Sequence, residues 1–191
     1  MNKTKFAKLT KTLGKYGSWA IWDNNNIEST EIIAKNFHIL HSNYVFIALN
    51  KSYPSVNYWQ NFRGKRRGSH DRKLVSALNS KPFKGSYMTD LFKNTNAKNV
   101  NELKLQIRAG KININNNVKK FSNEMKEIKV TNKTKFVVFG KYTKKMFTTY
   151  FQDKIVKSKI NSNNIIFYEH YSSTHITDKK WVSGLHKILN E

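Results

Sequence analysis

Asn43-Tyr-Val-Phe-Ile-Ala-Leu-Asn50 is a continuous apolar run, rich in β-branched and aromatic residues and closed at each end by asparagine. A strand with one wet face alternates polar and apolar positions. A run without polar positions fits a strand covered on both faces, as in a parallel sheet. Working outward, Ser29–Leu40 predicts a helix with Ser29 or Thr30 as cap and Ile32, Ile33, Phe37 and Leu40 on one face. Asp71–Leu78 predicts a short helix, 85–93 a second strand, 100–109 a helix, and 121–128 another, with 110–118 ambiguous. Lys135–Gly140 predicts a third strand, 142–151 a helix and 164–168 a fourth strand. A last helix is predicted over 178–189, with Trp181, Leu185 and Ile188 on one face. This alternation indicates an α/β fold: a three-layer α/β/α sandwich around a parallel sheet of about four strands. The expected organisation is one domain over 1–191, with a basic N-terminal segment and helix at 1–42 and the α/β core at 43–191. Trp19-Ala-Ile-Trp22, an apolar island in the basic segment, is expected to pack on the core.

Charge limits the partners. The chain has 35 Lys and Arg against 12 Asp and Glu, a net charge of +23 and a pI near 10.1. Hydrophobic residues make up 38% and aromatics 13%, enough for a core and too many for a disordered tail. A folded chain this basic meets a polyanion, because each Lys or Arg set on a phosphate releases condensed counterions. Asparagine runs such as 113–117 reflect compositional bias, but bias alone leaves more acids than this. With no cysteine, disulfides and Cys-ligated zinc or iron–sulfur clusters are excluded. No apolar stretch follows the basic N-terminus, and the longest apolar runs are strand-sized, so no signal peptide or membrane span is read. A soluble, cytoplasmic, monomeric protein is expected, with a nucleic acid as its partner and no metal or cofactor.

In a parallel α/β sheet the site lies at the carboxyl ends of the strands. That directs attention to Asn50, to Thr89-Asp90, to Gly140-Lys141 and to Glu169-His170. Ala48-Leu-Asn-Lys-Ser52 resembles the first motif of the mismatch-specific uracil and thymine glycosylases, and Gly85–Lys93 the superfamily segment whose Thr-Asn ends the second strand. Val137-Val-Phe-Gly140 before a helix resembles the third strand, and His170-Tyr-Ser-Ser173 the His-Pro-Ser-Pro second motif. In this order, over roughly 43–190, the segments resemble the uracil-DNA glycosylase superfamily. The first motif lacks the usual Gly and Pro, and the last lacks both prolines.

The resemblance implies a monofunctional enzyme that flips a base from duplex DNA, or takes it from a single strand, and leaves an abasic site. Asn50 would hold the attacking water through its amide oxygen, the bland alternative being a strand-end Asx-turn. His170 would donate to the base O2 as charge develops there, an oxyanion-type role, the alternative being a surface His beside a basic groove. Phe62 would stack on the flipped base, with Tyr58 and Trp59 competing for that role and core packing as the alternative. Asp90 stands where uracil readers carry Asn: an ionised carboxylate only accepts, so it repels O4 of uracil and takes the exocyclic amine of cytosine. The expected base is therefore a modified cytosine, hydroxymethylated or glucosylated, with anti-phage defence as an attractive role. The plainer reading is that Asp90 caps a loop. Lys51, Ser52, Arg63, Lys65, Arg66, Arg67, Lys93, Ser172 and Ser173 are the candidate phosphate ligands. Lys51 and Lys141 carry no sign of a desolvated amine for Schiff-base chemistry. The competing readings are ordinary uracil repair, a catalytically silent DNA-binding relative, and a ribonuclease using His70, His170 and His175.

Overall fold

The computed structural model describes residues 1–51, 57–65, 70–93, 95–156 and 161–190. Its helices are α1 (Lys3–Leu13), α2 (Glu31–Lys35), α3 (Asp71–Leu78), α4 (Val100–Arg108), α5 (Ile114–Glu127), α6 (Lys141–Met146), α7 (Gln152–Val156) and α8 (Asp178–Asn190). Its strands are β1 (Ser18–Trp19), β2 (His41–Asn50), β3 (Ser86–Phe92), β4 (Lys135–Phe139) and β5 (Ile165–Tyr168). They form a five-stranded sheet in the order β1-β3-β2-β4-β5. β3, β2, β4 and β5 run parallel, and β1 is antiparallel beside β3, with Ser18 opposite Met88 and Trp19 opposite Tyr87.

The apolar run occupies the centre of the sheet, and its alternate residues feed two cores. Val45, Ile47 and Leu49 meet α1, α4, α5 and the α6–α7 region through Leu9, Leu103, Phe121 and Phe147. Phe46 and Ala48 meet α3 and α8 through Leu74, Leu78, Trp181 and Leu185. The α/β/α sandwich follows from this one strand being apolar on both sides.

Several boundaries differ from the sequence reading. The N-terminal segment contains α1, whose Leu9 and Leu13 are buried, and β1, and Trp19-Ala-Ile-Trp22 is buried in both cores. The helix expected over 29–40 breaks at Asn36 (φ −120°) into α2 and a 3-10 turn at Phe37–Ile39, and Thr30 gives no capping bond. α5 starts within the ambiguous stretch because Asn113 caps it, accepting from the Asn116 N–H. The helix after β4 continues past Phe151 through a π-helical turn at Phe147–Phe151. On α8 the buried face is Trp181, Leu185 and Leu189, while Ile188 is partly buried. No helix among the described residues is long and apolar enough to cross a membrane.

Candidate active site

β2 and β4 are neighbours whose following segments leave in opposite directions: β2 leads to α3 on one face, β4 to α6 on the other. In parallel α/β sheets such a divergence is where ligand sites form, at the carboxyl ends of the strands. Asn50 is the last residue of β2, and Asp90 of β3 lies opposite Ala48. Gly140 follows β4, and His170 follows β5.

Asn50 donates both amide hydrogens, to the carbonyls of Ala97 (2.8 Å) and Lys51 (3.0 Å). The amide cannot rotate without losing both bonds, and its Oδ1 has no partner among the described residues. His170 is fixed with equal definition. Its Nδ1 accepts the Ser172 backbone N–H at 3.1 Å and lies 2.7 Å from the Ser172 hydroxyl. A nitrogen that accepts an amide hydrogen carries a lone pair, so the proton of the neutral ring sits on Nε2. Burial, with the nearby positive charges of His70 and Lys73, pushes the imidazole down to about 4. The left-handed Gly140 (φ 94°) makes room for it, since a Cβ there would lie 3.1 Å from the His170 Cβ.

Asp90 is 3% exposed and accepts a 2.7 Å bond at Oδ2 from Asn61. Burial raises it to about 6, against the Asn61 bond and the charges of Lys93 and Lys51. Its Oδ1 has no hydrogen-bond partner among the described residues. Tyr171 joins the parts: its ring stacks on His170 (centroids 4.3 Å) and meets Phe62 (6.5 Å) and Phe139 (6.0 Å) edge-on. Burial and the carboxylates of Asp71 and Asp90 drive its phenol well above the ordinary value. Asp71, at the start of α3, accepts the Gly64 N–H at 2.7 Å, and burial raises it to about 7. The segment leading here is strained: Trp59, Phe62 and His70 all have positive φ, an uncommon state that non-glycine residues hold only when their surroundings enforce it.

Asn50, Asp90 and His170 lie at the carboxyl ends of β2, β3 and β5, and Phe62, 6% exposed in the α3–α8 core, is linked to them through Asn61 and Tyr171, whereas other expected site residues lie elsewhere. Tyr58 is 45% exposed and stands over Gly14, beyond the end of α1. Trp59 lies in the other core, donating to Thr10 and packed on Trp19. Arg63 is corrected from phosphate ligand to core residue. It is 1% exposed, and its guanidinium donates to the carbonyls of Trp59, Ile27, Ser29, Trp19 and Ile21. Lys93 is corrected likewise, its buried ammonium being held by Thr89, the Asp90 carbonyl and the Glu124 carboxylate. The Ser172 hydroxyl lies against the His170 ring, 2.7 Å from Nδ1. The Ser173 backbone closes the same turn, its N–H bonding the His170 carbonyl. Lys65 is exposed and pairs with Glu28 at 3.6 Å, and Lys51 is partly buried beside Asp90. Ser52, Arg66 and Arg67 lie outside the described residues. Asn61, Tyr171 and Asp71 are not singled out by the sequence, although Tyr171 sits inside the quoted His170 segment. Among the described residues, no three His, Cys, Asp or Glu side chains are grouped so as to hold a metal ion.

Comparison with family models, with curated proteins and with solved structures finds no match to this chain.

Proposed function

We propose that this chain is a monofunctional DNA glycosylase of the uracil-DNA glycosylase type, reading a cytosine-type base and leaving an abasic site. The observation that carries the reading is the presence, at the carboxyl ends of the parallel strands, of a carboxylate acceptor, Asp90, and of a histidine, His170, held neutral and proton-bearing at Nε2. In hydrolysis of the glycosidic bond, the C1′–N bond breaks as a water oxygen bonds C1′. The departing base takes the electron pair, charge grows on its O2, and the proton shed by the water passes through solvent to neutralise the released base anion. The Nε2–H of His170 is a donor for that charge and stays one across neutral pH, because the ring does not become a cation there. The Asn50 Oδ1 is an acceptor that can orient the water. Asp90 Oδ1 accepts from an exocyclic amine, and against the O4 of uracil it sets an acceptor on an acceptor. Phe62, buried within the α3–α8 core, is tied to Asp90 through Asn61 and is the aromatic proposed to stack on the base. A cytosine glycosylase acting on ordinary DNA would harm its own genome, so a modified cytosine, as in phage DNA, is the favoured substrate.

The test is a set of duplexes each carrying one uracil, cytosine, 5-hydroxymethylcytosine or glucosylated 5-hydroxymethylcytosine, incubated with protein and then treated with alkali. Alkali-labile sites at a cytosine form are expected. Excision of uracil alone returns the protein to ordinary repair, cutting without alkali makes it a nuclease, and binding without either makes it a silent relative.

A further inference from the structure

We propose that Asn61 is a positioning residue for this site: one amide fixes both the stacking ring of Phe62 and the edge-reading carboxylate of Asp90. The inference rests on the base-excision reading above. Asn61 is buried on the segment between β2 and α3. Its Nδ2 donates to Asp90 Oδ2 at 2.7 Å and to the Tyr16 carbonyl at 3.0 Å, and its Oδ1 accepts the Phe62 N–H at 3.1 Å. These three bonds use both amide hydrogens and the oxygen, and a flipped amide would lose all of them. The bond to Phe62 falls on a residue in the left-handed region (φ 60°), so it helps hold a backbone that would otherwise relax and carry the ring away. The bond to Asp90 aims the carboxylate, occupying Oδ2 and leaving Oδ1 for a ligand. The anchor is firm, because the Tyr16 N–H is itself bonded to the Leu13 carbonyl at the end of α1. Distance between ring and carboxylate is what separates a base that stacks and pairs from one that only stacks.

Asn61→Asp tests this, because it is isosteric and its donor depends on pH. When protonated, the introduced carboxyl donates to Asp90 as the amide does; when ionised, it faces Asp90 as a second carboxylate. Single-turnover release of 5-hydroxymethylcytosine is measured for both proteins from pH 5 to 8.5, with unfolding followed at each pH. The expected rate ratio of Asn61→Asp to wild type is within about three-fold at the acid end and falls at least about thirty-fold by pH 8. Asn61→Ala, which has no proton to regain, is expected to be slow at every pH. If the wild type releases base and the Asn61→Asp ratio is flat with pH, the positioning role is overturned while the base-excision reading stands. If the wild type releases no base from any duplex, that reading falls and this inference with it. Carboxyl NMR of the free proteins gives a readout independent of turnover: Asp90 should titrate at higher pH in Asn61→Ala, which has lost the donor, and an unchanged midpoint overturns the role.

Discussion

A neutral histidine at physiological pH leaves a signature in stability as well as in rate. The His170 imidazole titrates near 4 in the fold, against about 6.5 in an unfolded chain. Between these values the unfolded state binds the extra proton, so this residue's contribution to stability rises with pH across the window and is lost as pH falls through it. Subtracting the His170→Ala variant isolates it: wild type should gain on the order of 3 kcal/mol over the variant from pH 4 to 6.5, read by denaturant unfolding. The raised Asp71 and Asp90 act in the opposite sense, and the subtraction removes them. The same variant should lose roughly 10²-fold or more in base release, and a near-normal rate would remove His170 from the mechanism. Asp90→Asn should move selectivity toward uracil. Asn61 still offers its N–H, so the new amide must turn its oxygen to Asn61 and its NH2 into the site, where it donates to O4. Competition between uracil and 5-hydroxymethylcytosine duplexes measures the shift, and unchanged preference would show that another group reads the base. At this scale the sequence is half legible. Asn50, Asp90 and His170 stand out because strand ends are where parallel sheets carry function. Arg63 misleads because nothing in a basic cluster reveals five carbonyls converging on it from 19–29 and 59. Asn61 is invisible because its anchor, Tyr16, lies 45 residues away.

Among the elements, those with dense apolar signals read well: β2, β3, β4, β5 and α3 all lie within about two residues of expectation. α1 escapes notice because lysines and threonines dilute its face to Phe6, Leu9 and Leu13. β1 escapes because two residues carry no periodicity at all. The β4–α6 junction offers a direct test. Gly140 sits at φ 94°, where a side chain is strained, and a Cβ would press on the Cβ and ring of His170 at 3.1–3.3 Å. Gly140→Ala should cost about 1–3 kcal/mol of stability. It should also lower base release more than the lost stability explains, because the imidazole must shift. Parallel denaturant melts and single-turnover rates compare the two losses. Equal rates with reduced stability would show that His170 tolerates displacement.

Across the whole molecule, few acids remain to offset the cations. Glu124, Asp90 and Asp71 are buried, while Glu28, Glu31, Glu127 and Asp178 are each paired with a lysine. The exposed field is therefore strongly positive, and DNA affinity should fall steeply with salt. With about five phosphates neutralised, log K should decline with a slope of roughly −4 to −5 against log salt. Fluorescence anisotropy on a short duplex gives the slope, and a flat line would point to compositional bias.

The antiparallel β1 has a consequence for how the chain is made. Ser18 and Trp19 pair as a strand with β3, and the loop between adds Trp59, whose carbonyl accepts from the Ser18 hydroxyl, and Asn61, which donates to the Tyr16 carbonyl just before β1. At ~5–20 residues per second, translation leaves Trp19 waiting on the order of 3–14 s before Tyr87 is joined to the chain. Until β3 follows it out of the ribosome, the Trp19–Trp22 island has no sheet partner on the nascent polypeptide. Folding from the N-terminus cannot hide it, so a ribosome-bound chaperone has reason to meet this protein early.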